Sequence, residues 1–147
     1  RRSGVFFVVA LLALWPVPAL PIDDTPAVKV TPLLKTTESW DGKPIVYPEG
    51  QAELTALIVE IAPGRNTGWH LHPVPSFAYL LEGSLEITLS DGRVKRLQAG
   101  EALAEVTHTL HNGRAAADGP ARIVVFYAGA VGKPLTVNQP PGAAPLP

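Results

Sequence analysis

The sequence predicts an all-β domain: a sandwich, a jelly roll or a small barrel. Three observations carry this. Short strand-like segments recur at hairpin spacing, about eight to ten of them. Turn formers separate them, with 16 Pro and 13 Gly among 147 residues. One segment, Ser84 to Ser90, alternates cleanly, with Leu85, Ile87 and Leu89 on one face and Glu86, Thr88 and Ser90 on the other. That alternation is the pattern of a half-buried strand.

The N-terminus stands apart from this pattern. Arg1 and Arg2 precede a continuous apolar run, Val5 to Leu14, which Trp15-Pro16-Val17-Pro18 breaks. Val17 and Ala19 are small enough to precede a signal-peptidase cut near Leu20, so residues 1–19 are expected to be an export signal. The alternative is an uncleaved anchor, although the run is shorter than the roughly 20 residues of a comfortable membrane span. A cleaved signal implies a secreted or periplasmic protein without membrane attachment.

Residues 20–39 are expected to form a linker and a first edge strand. Pro21 to Pro32 mixes prolines and acids, and Leu33 to Thr37 is rich in Leu and Thr. Trp40-Asp41-Gly42-Lys43-Pro44 predicts a turn, and Ile45-Val46-Tyr47 a short strand. Glu53 to Ala62 is apolar on both faces over much of its length, which suits a buried strand. A helix is possible there on composition, but Pro63-Gly64 ends the segment sharply. Strands are then expected at Ser76–Leu81, Ser84–Ser90, Arg93–Leu97, Ala102–Val106 and Ala121–Tyr127. Glu82-Gly83, Asp91-Gly92 and Ala99-Gly100-Glu101 supply turns between them. Thr107 to Gly113 is read as a bend, and residues 133–147 as a mobile Pro-rich tail.

Composition excludes several functions. The net charge is -1, from 12 Lys+Arg and 13 Asp+Glu, and there is no basic stripe for nucleic acid. There is no cysteine, so disulfides, thiolate ligands and a cysteine nucleophile are excluded. Any metal must be held by nitrogen and oxygen.

The chemistry concentrates between Gly64 and Gly83. His70 and His72 are one residue apart, so in a strand both imidazoles share a face and can chelate a divalent transition metal. A third histidine, His111, lies downstream. Glu105 sits in an apolar stretch, where a carboxylate is costly unless paired or metal-bound. It is a candidate substitute ligand or acid–base group; the alternative is a solvent-facing acid or one paired with Arg65 or Arg114. His108 and Asn112 fit turn residues. Trp69, Phe77, Tyr79, Phe126 and Tyr127 fit a core or barrel wall.

These residues resemble the two motifs of the cupins, small jelly-roll barrels also called double-stranded β-helices. The first cupin motif is a Gly, five residues, His-x-His, a short gap, a Glu, six residues and a Gly. Here Gly64, His70, His72 and Gly83 occupy its fixed positions, and Ser76 stands where the metal-binding Glu belongs. In the second motif Gly100-Glu101 and His111 match. Val106 and His108 replace its Pro and Gly, and Ala115 its Asn.

The resemblance spans about Trp40 to Gly132 and implies a barrel over residues 40–132. It implies His70, His72 and His111 as ligands for Fe, Zn, Mn, Cu or Ni. Ser76 would then hold a metal-bound water or orient an imidazole. Loss of the carboxylate would leave the site more positive and favour anionic substrates. The resemblance further implies a homodimer and oxygenase, isomerase, epimerase or lyase chemistry on a small molecule. A non-catalytic metal or small-ligand binder, or a metal-free interaction module, stands beside that reading.

Overall fold

The computed structural model describes residues 27–139, and the strands below all lie in the second of two units, Pro32–Pro147. The expected export signal at 1–19 lies outside the described residues. The strands are β1 (Ala52–Ile61), β2 (His70–Leu71), β3 (Ser76–Glu82), β4 (Ser84–Leu89), β5 (Val94–Gln98), β6 (Ala102–Ala104), β7 (His111–Ala115), β8 (Ala121–Ala130) and β9 (Val137–Asn138). No helix occurs among the described residues, so none there is long and apolar enough to cross a membrane.

Two antiparallel sheets form the barrel. One has the order β1-β8-β3-β6 and the other β5-β4-β7-β2-β9. Their inner faces supply one core: Ala78, Leu80, Leu103, Ile123, Val125 and Tyr127 from the first meet Leu85, Ile87, Leu97 and Ala115 from the second. Alternation explains the selection. In β4 the inward residues Leu85, Ile87 and Leu89 are buried, and in β8 the inward residues are Ala121, Ile123, Val125 and Tyr127. This is the predicted all-β jelly roll.

The turns follow their residues. At Asp91-Gly92, Leu89 N donates to Arg93 O (2.9 Å) and Gly92 has φ +87°. Glu101, which matches the acid of the second motif, accepts from Gln98 N at 2.7 Å and closes the turn before β6. His108 has φ +56° and is the one described non-glycine residue with positive φ. The second cupin motif has glycine at this place, and the backbone shows why: an L side chain in this region costs about 1–2 kcal/mol. His108→Gly is therefore expected to stabilise the fold by about 1 kcal/mol in urea denaturation, since His108 is exposed and little packing is lost.

Several expectations are corrected. Leu33–Thr37 and Ile45–Tyr47 form no strand; nearby there is only an isolated bridge between Glu38 and Pro44. The two segments meet only through this bridge and one backbone bond, Ile45 N donating to Thr37 O at 2.9 Å, which is too little pairing for a ladder. β1 is a strand but not a buried one. It is an edge strand with Leu54 69% and Ile58 53% exposed, because its second apolar face points outward. The predicted bend after Thr107 ends early, since His111–Ala115 is strand β7, paired with both β2 and β4. The segment beginning at residue 133 is not all tail: β9 pairs with β2, His70 opposite Asn138 and Leu71 opposite Val137. Of the aromatic set, Tyr127 alone is in the buried core. Phe126 is exposed, and Trp69, Phe77 and Tyr79 are half-buried.

Candidate metal centre

Cross-strand register brings the histidines together. β2 and β7 run antiparallel with His70 directly opposite His111, so their side chains lie side by side on one face. His72 follows two residues after His70 and takes the same side. Ring centroids are 4.4 Å apart for His70–His111, 4.9 Å for His72–His111 and 5.0 Å for His70–His72. One nitrogen from each ring lies within 4.8 Å of the other two.

Backbone carbonyls fix the tautomers. His70 Nδ1 donates to Gly68 O (2.9 Å), His72 Nδ1 to Leu135 O (3.0 Å) and His111 Nδ1 to Thr109 O (2.8 Å). A carbonyl only accepts, so each Nδ1 carries the proton and each Nε2 keeps its lone pair. Fixing one ring nitrogen as donor is how proteins prepare the other for a metal. The donor set therefore fits a divalent transition metal held by neutral imidazoles. For His70 and His111 the accepting carbonyl is two residues upstream. For His72 it comes from the segment before β9, where Thr136 Oγ1 also lies 3.2 Å from Nδ1.

The histidines line a cavity of about 300 Å³. Its walls are apolar, with Val59, Ile61, Leu85, Ile87 and Ile123 among them. Glu105 and Tyr127 also face it, and among the described residues no Lys or Arg does. The Tyr127 ring meets His72 edge-on at 5.3 Å, and its hydroxyl bonds to Thr136.

Glu105 turns inward and is 8% exposed. Its Oε2 is 3.2 Å from His111 Nε2, and it pairs with neither Arg65 nor Arg114. Burial raises its carboxyl to about 7. Burial lowers His111 to about 4, against the opposing effect of the Thr109 carbonyl. Burial, then the neighbouring His111, lowers His72 to about 3. Burial also lowers His70, again opposed by a carbonyl, that of Gly68. Without metal, the proton between Glu105 and His111 therefore sits on the carboxyl.

These shifts set the pH dependence of the metal-free protein. The folded histidines bind protons more weakly than unfolded ones, so stability is lost as pH falls from 6.5 towards 4. Glu105 has the opposite sign: its raised folded value contributes stability below 4.5 that is lost as pH rises through about 7. Three histidines outweigh one carboxyl, and the melting temperature in chelator is expected to peak near neutrality and fall steeply below pH 6. A flat profile from pH 4 to 7 would contradict these environments.

Two other sequence candidates make no side-chain hydrogen bond to the three rings. Ser76 is buried, but its Oγ has no hydrogen-bond partner and orients no imidazole. His108 is exposed on the loop, and only its backbone N reaches His72, donating to the His72 carbonyl at 2.9 Å. Sequence reasoning missed Thr136 and the Leu135 carbonyl, which lie in the segment read as tail. It left Tyr127 as mere wall.

Residues 57–127 match the family described as Cupin domain. The matched residues form a cupin domain. Solved structures agree on the fold. The cupin resembles the DMSP lyase DddQ from Ruegeria pomeroyi DSS-3, with TM-score 0.51 and 23% identity over 58% of this chain and 43% of that one. It also resembles the oxalate decarboxylase of Lactobacillus farciminis, with TM-score 0.53 and 21% identity over 60% and 27%. A cupin-like protein from Thermotoga maritima aligns with TM-score 0.51 and 17% identity over 58% and 64%. The aligned part of this cupin thus spans less than two thirds of each of those chains. No curated protein matches the sequence.

Proposed function

We propose that this cupin binds one divalent transition metal through Nε2 of His70, His72 and His111 and acts there on a small molecule, as an oxygenase or isomerase. The observation that carries it is the set of three Nδ1–carbonyl bonds, which leaves each Nε2 its lone pair on rings whose ligand nitrogens lie within 4.8 Å of one another. A bound metal would supply a Lewis acid or a redox centre. The chain's own groups bind and orient: the apolar walls take the body of the substrate, and its polar end meets the histidines. Glu105 and Tyr127 are the cavity groups able to hold a proton beside the reacting atoms.

Metal analysis of protein purified without a His tag tests the binding step, with about one equivalent expected. Oxygen consumption with iron-loaded protein and a panel of thiols, phenolics and organic acids tests the activity. Full metal loading with inactivity across that panel supports the alternative, a metal-dependent binder. The largely apolar cavity favours small-ligand retention in either case.

The same reading includes export and a homodimer. N-terminal sequencing of the exported product tests the cut before Leu20. For the dimer, support comes from β1, the ten-residue edge of its sheet. Among the described residues its outer edge is uncovered by another strand; it contains no Lys or Pro, carries acids only at Glu53 and Glu60, and pairs with β8 without a bulge from Ala52 to Ile61. Leu54, Ile58 and Phe126 stand exposed beside it. A second copy related by a two-fold axis covers this surface with the same surface. Light scattering is expected to give a dimer, and Leu54→Glu with Ile58→Glu a monomer; a monomeric wild type contradicts it.

A further inference from the structure

We propose that Glu105 is a fourth protein ligand of the metal, a carboxylate supplied from the strand opposite Ser76; this rests on the three-histidine reading above. Strands β3 and β6 pair with Phe77 opposite Ala104, Ala78 opposite Leu103 and Tyr79 opposite Ala102. One step further along the same register places Ser76 opposite Glu105, and Glu105 N donates to Ser76 O at 2.9 Å. Ser76 shares the buried face of β3 with Ala78 and Leu80, so both positions look into the barrel.

The two positions are therefore neighbours that can serve one centre. Directly opposed side chains have Cβ atoms about 5 Å apart, and like charges there repel. One carboxylate can occupy the pair; two would oppose each other. Here the carboxylate is at 105. The side chain at 76 is small, and its Oγ is buried without a partner. Glu105 reaches from its strand to within 3.2 Å of the His111 atom that keeps a lone pair for metal. Among the described residues no Lys or Arg lines the cavity, so a metal ion is the cation that would let Glu105 ionise there.

The experiment compares four full-length proteins by competitive Zn²⁺ titration and by the visible spectrum of the Co²⁺ form. They are wild type, Glu105→Gln, Glu105→Ala, and the exchange Ser76→Glu with Glu105→Ser. Glutamine keeps the size of Glu105 and can still donate to His111 Nε2, so it preserves a purely orienting role and removes the charged ligand. Both single variants are expected to lose more than about 100-fold in Zn²⁺ affinity, beyond the upper end of what supporting contacts alone contribute. Their Co²⁺ spectra are expected to shift with the changed donor set. The exchange variant is expected to recover affinity to within about tenfold of wild type, because the carboxylate returns from the neighbouring position.

Wild-type affinity and an unchanged Co²⁺ spectrum in Glu105→Gln would overturn the assignment, whatever the fate of the exchange variant. A wild type that binds no metal would instead sink the three-histidine reading on which it stands.

Discussion

Replacing His111 by alanine is expected to abolish tight metal binding. His111 is the hub of the centre: its ring lies 4.4 Å from His70 and 4.9 Å from His72, and its Nε2 faces Glu105. Structural sites with four ligands bind zinc with about 10–16 kcal/mol, so each ligand contributes on the order of 2.5–4 kcal/mol. That converts to a loss of roughly 70- to 900-fold in affinity. The variant should still fold, because β7 keeps its backbone pairing to β4 through Asn112, Gly113, Arg114 and Ala115. Equilibrium dialysis with metal analysis, beside circular dichroism, checks both halves. Retained affinity in a folded variant would remove His111 from the ligand set.

Replacing Gly83 by alanine is expected to destabilise the fold by about 3 kcal/mol or more. Gly83 links β3 to β4 with φ +80°, where a side chain is strained. A Cβ there would also run into the Pro120 carbonyl oxygen, and that atom is backbone that cannot swing away. Strain and overpacking each cost about 1–3 kcal/mol, and both apply. The melting temperature should fall by roughly 10 °C or more. Gly92→Ala is the control: φ is +87°, yet nothing lies within 4 Å of its Cβ. Its cost should stay near 1 kcal/mol, the conformational part alone. Equal effects at the two sites would show that the close approach to Pro120 does not matter. The contrast also explains why the last glycine of the first motif tolerates no substitute here: β3, β4 and the start of β8 meet at that point.

Local pattern made part of this molecule readable. His70 and His72 share a face because strand side chains alternate, and Asp91-Gly92 encodes its own turn. Leu85, Ile87 and Leu89 announce a half-buried strand. What was not readable depends on partners distant in sequence. The ELTALIVEIA segment looks buried because both its faces are apolar, but its place at a sheet edge decides the exposure of Leu54 and Ile58. His111 appeared to lie in a bend since Gly113 and the polar residues around it suggest a loop, whereas pairing with His70 and Leu89 makes it strand. Proline-rich composition hid β9, whose two residues are held by β2 and carry Leu135 and Thr136 to His72. Glu105 was singled out as a costly acid in an apolar stretch. That it stands opposite Ser76 is a fact of register, which no single stretch encodes.

The central claim is that three imidazoles, each presented through Nε2, surround one metal ion. X-ray absorption at the metal edge of the zinc-loaded protein tests it most directly. The predicted spectrum has three imidazole nitrogens at about 2.0–2.1 Å, with oxygen completing the shell. A first shell of oxygen alone, or one lacking the multiple scattering of several imidazoles, would contradict it.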